Sequence, residues 1–163
     1  MKQILEGYTA YHVWANEIII SFLKQLSPEQ LNREQLSSFT SIRKTVDHMV
    51  GSEHIWLKRI KGDNVVENKA AAFEDISSLL EFWIDQSKQF AALVQLADEN
   101  KLQEIIAYQN LKGIPFESAI YKIIMHVMNH GTYHRGQLVT MLRAVGFTDL
   151  SSTDLITYYR SVE

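Results

Sequence analysis

Three of the six histidines in this chain, His126, His130 and His134, lie four residues apart in the stretch HVMNHGTYHRGQL. Residues four apart lie one turn apart on the same side of a helix, which is how a helix presents two imidazoles to one metal ion. On a helical wheel centred on Val127, His134 lies about 20° from the middle of the apolar face, His130 about 60° and His126 about 100°. His126 and His134 are about 12 Å apart along the axis, whereas zinc–nitrogen bonds are about 2.0–2.1 Å long. One ion therefore takes one adjacent pair, and the wheel favours His130 and His134.

A bare pair of histidines at this spacing is weak evidence for a metal, because two buried imidazoles can also bind each other or backbone carbonyls. Here both rings point inward, where an imidazole without a partner is costly. Gly131 lies beside them and leaves room next to the helix. No Glu follows His130 directly, so the pattern is not the H-E-x-x-H of zinc proteases.

A useful metal site needs a third ligand, and His48 is the best candidate on the preceding helices. It shares a helical stripe with small polar residues, as expected at the border of a cavity: Ser41, Thr45 and Ser52. His54 shares its face with charged residues and is expected to face solvent. His12 follows the apolar Tyr11 and is expected at the surface or at its boundary.

Glu53 falls on the apolar face of its helix, and carboxylates are rarely buried without a partner. It is expected to orient a ligand histidine or to pair with an arginine such as Arg135, unless it lies at an end of the bundle and reaches water. Either Glu53 or His126 could act as a proton acceptor in a catalytic site.

The chain length and composition restrict the classes of protein. Its 163 residues fit one domain spanning 1–163. A net charge of −3 argues against a broad nucleic-acid surface. There is no cysteine, so a metal must be held by His, Asp or Glu. The N-terminal stretch is not a signal peptide, and no apolar run approaches the ~20 residues of a membrane helix. A soluble cytoplasmic protein is expected.

Sparse Gly and Pro favour long helices over short strands. Helical periodicity predicts four long helices, over 3–26, 41–61, 73–97 and 115–145, with Pro115 as the start of the fourth. Ser27 and Pro28 predict a short capped turn, EIIAYQN in 101–114 a short extended piece, and DLITYYR one last short helix. Four amphipathic helices predict an all-α four-helix bundle, and the long connection before the fourth allows a non-simple order.

Four stretches resemble the DinB-like family of bacterial bundle proteins: YHVWANEII, SIRKTVDHMVGSEHIWLKRI, HVMNHGTYHRGQL and TDLITYYR. The third is the most specific of them. The resemblance covers nearly the whole chain and implies a four-helix bundle, commonly dimeric. It also implies one divalent metal held by His48, His130 and His134. The resemblance supports the site more than any reaction, since some relatives are thiol-dependent transferases or isomerases and many have no assigned substrate.

The leading functional hypothesis is a metal-dependent enzyme. Three neutral imidazoles leave the metal its full charge and an open position, where a water or a thiol loses its proton near neutral pH. The reaction is then transfer of a low-molecular-weight thiol to an electrophilic small molecule, or hydrolysis by metal hydroxide. Zinc or nickel is the expected ion, with iron or manganese as alternatives. The other hypothesis is a non-catalytic, metal-stabilised binding or stress-response protein.

Overall fold

Seven α-helices, one 3₁₀ helix and two strands form the computed structural model, which describes residues 1–63, 68–110 and 112–163. In chain order they are α1 (Lys2–Leu23), α2 (Pro28–Asn32), α3 (Ile42–Ile60), the 3₁₀ helix (Lys69–Ala72), α4 (Ile76–Leu96), α5 (Glu99–Gln103), β1 (Ile105–Gln109), β2 (Pro115–Ala119), α6 (Ile120–Ala144) and α7 (Leu155–Val162).

The four long helices, α1, α3, α4 and α6, form a four-helix bundle. Helix α1 packs against α4 and α6, and α3 packs against the same two helices. Consecutive helices are therefore not always neighbours: α1 lies diagonally opposite α3, and α4 opposite α6. The expectation of a non-simple order is correct.

Helices α3 and α4 run parallel. The Arg43 guanidinium at the start of α3 donates to the Glu74 carbonyl just before α4, at 3.1 Å. Near the other end of both helices, Lys61 Nζ donates to Gln89 Oε1. Parallel neighbours need a connection that returns the chain along the bundle, and the 3₁₀ helix Lys69–Ala72 lies within that connection.

Helices α3 and α6 run antiparallel, which sets the geometry of the site. Thr45 near the start of α3 contacts Met141 near the end of α6. Trp56 near the end of α3 packs edge-on against His126 near the start of α6. His48 on α3 therefore lies level with the middle of α6, which carries His130 and His134.

The predicted ends of the helices agree with the structure to within one residue, except before α4 and α6 and at the end of α1, which stops at Leu23 rather than at residue 26. Ser27 caps α2 in a reciprocal capping box with Gln30, and the Ser41 side chain accepts from the Lys44 amide to cap α3. The third long helix begins at Ile76 rather than at residue 73, because the Asp75 carboxylate caps it by accepting from the Ser78 amide.

The prediction that Pro115 starts the last long helix is wrong. Residues Pro115–Ala119 form β2, which pairs with β1 as an antiparallel hairpin, with Ile105 opposite Ala119. Helix α6 begins only at Ile120. The first partner, the extended piece within 101–114, was predicted correctly. The strand β2 was missed because it begins with a proline, and proline is also common in the first turn of a helix.

Two apolar clusters fill the bundle, one toward the α2 end and one toward the hairpin. Trp83 and Leu138 belong to the first, whereas Phe90 and Ile124 belong to the second. Between them lies a layer of buried polar side chains: His12, Asn16, Glu53, Ser87 and Arg135. Among the described residues, no helix combines the length and apolar character needed to cross a membrane.

Candidate metal centre

Three imidazole nitrogens converge between α3 and α6. His48 Nε2 lies 2.9 Å from His130 Nε2, and His134 Nε2 lies 3.1 Å from the same atom. A ligand atom from each of the three rings lies within 4.8 Å of the other two. These are the three histidines that the helical wheels selected and the family resemblance implied.

The distances fit a shared metal ion. Two nitrogens bound to one zinc at 2.0–2.1 Å and a tetrahedral angle are about 3.4 Å apart, close to the two separations seen here. Within the described part of the chain, no fourth His, Asp or Glu joins the cluster. A metal at this centre would therefore have three protein ligands.

The hydrogen bonding of His134 selects the tautomer that a metal needs. Its Nδ1 lies 2.7 Å from Gln137 Oε1, and the Gln137 amide nitrogen donates to Ser38 Oγ and to the Tyr133 hydroxyl. Since the amide nitrogen is used in that way, Oε1 accepts from Nδ1–H. Nε2 then carries the lone pair. A partner that holds the distal nitrogen of a ligand imidazole is typical of metal sites.

The cluster lowers the pKa of two of its imidazoles, His48 and His130. Burial lowers the pKa of His48, and the neighbouring His134 lowers it further. Burial lowers the pKa of His130 to about 3, with added repulsion from the other rings, chiefly His134 and His48. Neutral imidazole is the metal-binding form, because a metal and a proton compete for the same lone pair.

An aromatic residue before α3 covers one side of the cluster. Phe39 stacks on His48 with ring centroids 4.3 Å apart and lies 5.8 Å from the ring of His134. Ser38, bonded to Gln137, fastens the same segment to α6. Neither Phe39 nor Gln137 was predicted from the sequence as part of the site. Gln137 could have been predicted from its spacing, because it follows His134 by three residues and therefore lies on the same helical face.

His126 lies outside the cluster, one turn before His130. Its ring centroid is 5.8 Å from that of His130, and Trp56 packs edge-on against it at 5.3 Å. Burial lowers the pKa of His126, so its imidazole is largely neutral at neutral pH. His126 therefore lies beside the centre and not among its three candidate ligands.

Glu53 is buried in the polar layer, with only 4% of its surface exposed. Trp83 Nε1 donates to its Oε2 at 3.0 Å, and His12 Nε2 lies 3.3 Å from its Oε1. The alternative that Glu53 reaches water is therefore wrong. Its contacts are with His12 and Trp83 rather than with a histidine of the cluster, and Arg135 approaches it only through His12.

His12 is buried, so its expected surface position is wrong. It is 1% exposed, and an Arg135 guanidinium nitrogen lies 3.2 Å from its Nδ1. Gly131 makes room for this ring, because a Cβ at that position would lie 2.6 Å from His12 Cε1. The burial of His12 could not be predicted from its position next to Tyr11, because the sequence does not show whether other helices supply hydrogen-bond partners for the imidazole.

His54 is also buried, contrary to the solvent-facing prediction. Its Nδ1 lies 2.9 Å from Gln86 Oε1, and its ring lies 5.3 Å from that of Phe82. The charged neighbours on its helical face suggested solvent, but α4 covers that face. His54 remains outside the metal centre, as expected.

Comparison with known proteins identifies the family. The model of the DinB family matches residues 1–161. The chain belongs to the DinB family. It is 28% identical over 145 residues to the protein DinB of Bacillus subtilis (strain 168), an alignment that covers 84% of this chain and 83% of the relative.

Solved structures of DinB-like proteins share the fold. One is a DinB-like protein from Bacillus cereus ATCC 10987, with a TM-score of 0.68 and 19% identity over 90% of this chain and 96% of that one. Another is YfiT from Bacillus subtilis, with a TM-score of 0.73 and 12% identity over 91% of each chain. YfiT is described as a probable metal-dependent hydrolase with an unusual four-helix bundle topology.

Proposed function

We propose that this DinB family member is a divalent-metal-dependent enzyme, most simply a hydrolase, that acts on an electrophilic small molecule. The observation that carries the proposal is the convergence of His48, His130 and His134, with no carboxylate or fourth imidazole within ligand distance of all three in the described residues. Three neutral protein ligands are typical of catalytic rather than structural metal sites. The description of YfiT as a probable metal-dependent hydrolase supports the same reaction class.

The residues around the three ligands have separate tasks. A divalent ion bound there supplies Lewis acidity and lowers the pKa of a coordinated water or thiol. Gln137 holds His134 with Nε2 toward the centre, while Phe39 excludes water from one side of His48. The neutral His126 ring accepts a proton through a ring nitrogen on the other side. Glu53 acts from a distance by fixing His12 against α6.

The nucleophile distinguishes two versions of the reaction. With water, the enzyme is a hydrolase. With a low-molecular-weight thiol, it transfers that thiol to the electrophile, and the thiol is then a second small-molecule substrate, because the chain contains no cysteine. Zinc or nickel is the proposed ion; imidazole also suits iron, whereas manganese prefers oxygen ligands.

Cobalt substitution tests whether the centre can serve chemistry. Co²⁺ loaded into the metal-free protein should give a visible spectrum that changes when azide or a small thiol is added, because three protein ligands leave an exchangeable position. A spectrum unmoved at saturating azide and thiol would indicate a closed shell and favour the non-catalytic, metal-stabilised alternative.

A reaction screen then separates the nucleophiles. Zinc- and nickel-loaded protein is assayed on activated esters, with and without a small thiol and an alkyl halide electrophile. Turnover that disappears with a chelator and in His126→Ala would support the proposal. Turnover that needs the thiol would identify the transferase version, and turnover without it the hydrolase version.

A further inference from the structure

A cleft of about 270 Å³ lies between the hairpin and the start of α6, beside the metal centre. This volume is slightly below the ~300–1,000 Å³ typical of pockets for drug-sized ligands, and so fits a smaller molecule. Its lining combines aromatic, apolar and cationic side chains: Trp56, Tyr108, Ser118, Lys122, Ile123 and His126.

The aromatic walls of the cleft are held in place before any ligand arrives. Trp56 lies edge-on to Tyr108 at 5.0 Å and edge-on to His126 at 5.3 Å. The Arg59 guanidinium lies over both Trp56, at 4.6 Å, and Tyr108, at 5.0 Å, and donates to the Gln109 carbonyl. Such cation–π contacts fix rings at low entropic cost to a ligand.

The cleft adjoins the metal centre through His126, although none of the three ligand histidines lines it. Phe39 covers His48 and His134 from the side of the α2–α3 connection. His126, one turn before His130, forms the wall of the cleft nearest to the ligands. A molecule seated against Trp56 therefore contacts His126, whose ring centroid lies 5.8 Å from that of His130.

The charge of the lining indicates which molecules it favours. Lys122 is exposed at the mouth, and its Nζ lies 5.9 Å from the Tyr121 ring rather than in an ion pair of the described residues. Among the described residues, no carboxylate lines the cleft. A planar ring can pack against Trp56 and Tyr108, while an anionic group on that ring meets Lys122.

We propose that this cleft, defined by Trp56, Tyr108, Lys122 and His126, is the subsite for the aromatic ring of a small anionic substrate. The assignment of this ligand as a substrate rests on the proposed function, because it places the ring beside the reacting centre. The binding of an aromatic anion at the cleft does not depend on turnover and is measured separately.

The experiment uses benzoate as the probe, with cyclohexanecarboxylate as the non-planar anion and benzamide as the planar neutral molecule. Indole N–H resonances of the full chain are followed by NMR, and that of Trp56 is assigned from its loss in Trp56→Phe. Affinities are taken from ligand-observed titrations of both metal-loaded and chelated protein. Benzoate should shift the Trp56 signal in both forms and bind more tightly than either comparison molecule.

Paired variants test the two halves of the recognition. Trp56→Leu should weaken benzoate about 3- to 10-fold through the lost ring contact, and Lys122→Gln about 2- to 5-fold through the lost charge. Two matched controls should bind benzoate like the unmodified chain: Lys24→Gln, an exposed lysine at the far end of α1, and Tyr158→Leu, a half-buried aromatic on α7. Thermal unfolding of each variant establishes that it is folded.

Two results would overturn the subsite. One is benzoate binding that vanishes on chelation and is indifferent to Trp56→Leu, which would mean that the carboxylate ligates the metal. The other is the absence of any Trp56 shift at saturating benzoate. Both leave the proposed function standing. A closed cobalt shell together with intact, Trp56-dependent benzoate binding would instead remove the proposed function and keep the cleft as an aromatic-anion site.

Discussion

At the residue scale, the proton on His134 Nδ1 determines which nitrogen of that ring has a lone pair for a metal ion. It is held by Gln137, and Gln137 is held by Ser38 and Tyr133. This chain of hydrogen bonds turns one specific lone pair toward His48 and His130. The side chain that follows the H-x-x-x-H pair by three residues is therefore part of the metal-binding pattern.

We expect one divalent ion per chain, bound by His48, His130 and His134. His130→Ala should lose most of the metal, because its Nε2 lies within 3.1 Å of both other ligand nitrogens. The matched variant His126→Ala removes a histidine on the same helix that lies outside the cluster, and it should keep the metal. Elemental analysis of untagged protein measures both; full metal content in His130→Ala would disprove the ligand assignment.

The stability of the metal-free protein should fall as the pH is lowered. The His130 pKa is about 3 in the folded chain, against an ordinary value of 6.5. Between these values the unfolded chain binds a proton that the folded chain refuses, so the free energy of unfolding decreases as pH falls from 6.5 toward 3. Near pH 5 the cost is about 1–2 kcal/mol, and His48 adds to it in the same direction.

Urea denaturation of the metal-free protein at several pH values measures this loss. His130→Gln removes the titrating group and should flatten the curve between pH 6.5 and 4. An equal pH dependence in the variant and the unmodified chain would assign the effect to other groups.

Helical periodicity was sufficient to select the three inward histidines, because their helices are long and regular. It could not find Phe39, which lies in an irregular segment where sequence spacing carries no directional information. It also misplaced His12, because the burial of a polar side chain depends on partners from other elements. Arg135 and Glu53 are those partners, at sequence separations that no local pattern records.

At the scale of elements, the contact between α1 and α6 depends on one glycine. A Cβ at Gly131 would lie 2.6 Å from His12 Cε1, whereas Gly136 on the same helix has nothing within 4 Å of that position. The pair allows a comparison of the same substitution in a crowded and in an open environment.

Gly131→Ala should destabilise the protein by about 1–3 kcal/mol, the usual cost of overpacking a close contact. Gly136→Ala should instead stabilise it by up to ~1 kcal/mol, because Ala is the better helix former. Thermal or urea unfolding measures both changes. A stabilised Gly131→Ala protein would mean that His12 can move away without loss, which the buried network argues against.

The elements that sequence placed best are those with strong local signals: the four long helices, the Ser27 cap and the final short helix. The hairpin was only half predicted, because β2 consists of PFESA, which has no strict alternation and begins with a proline suited to a helix start. Pairing with β1 determines its conformation, and such pairing is a tertiary interaction that overrides local preference.

At the scale of the whole molecule, α1 and α6 point one way, while α3 and α4 point the other. The bundle thus contains two parallel pairs of neighbouring helices, α3 with α4 and α1 with α6. Lys2 Nζ reaches the Gln95 carbonyl, which makes α1 antiparallel to α4. The long connection before the fourth long helix allowed such an order but could not select it, since each amphipathic face fits more than one neighbour.

We propose that the chain forms a homodimer, as the family resemblance implies. Large apolar side chains remain exposed on α1 and α4, with Ile4 at 72% and Leu96 at 88% exposure. A two-fold symmetric interface would bury these positions on both subunits. Light scattering coupled to size exclusion at micromolar concentration should give twice the mass of the chain. The mass of a single chain, 18.8 kDa, would contradict the proposal.

His48 and His130 are 82 residues apart in the chain, yet their nitrogens are 2.9 Å apart in the fold. An ion that binds both closes a loop of that length, much as a covalent crosslink does. In the unfolded chain, bringing the two residues together costs conformational entropy that grows slowly with loop length, roughly as the logarithm of the number of residues, so the ligands converge only when the bundle folds. An ion that binds the folded chain draws the folding equilibrium toward the native state by mass action. A metal ion bound in this position would therefore join the two halves of the chain, and its loss would weaken the bundle together with the site.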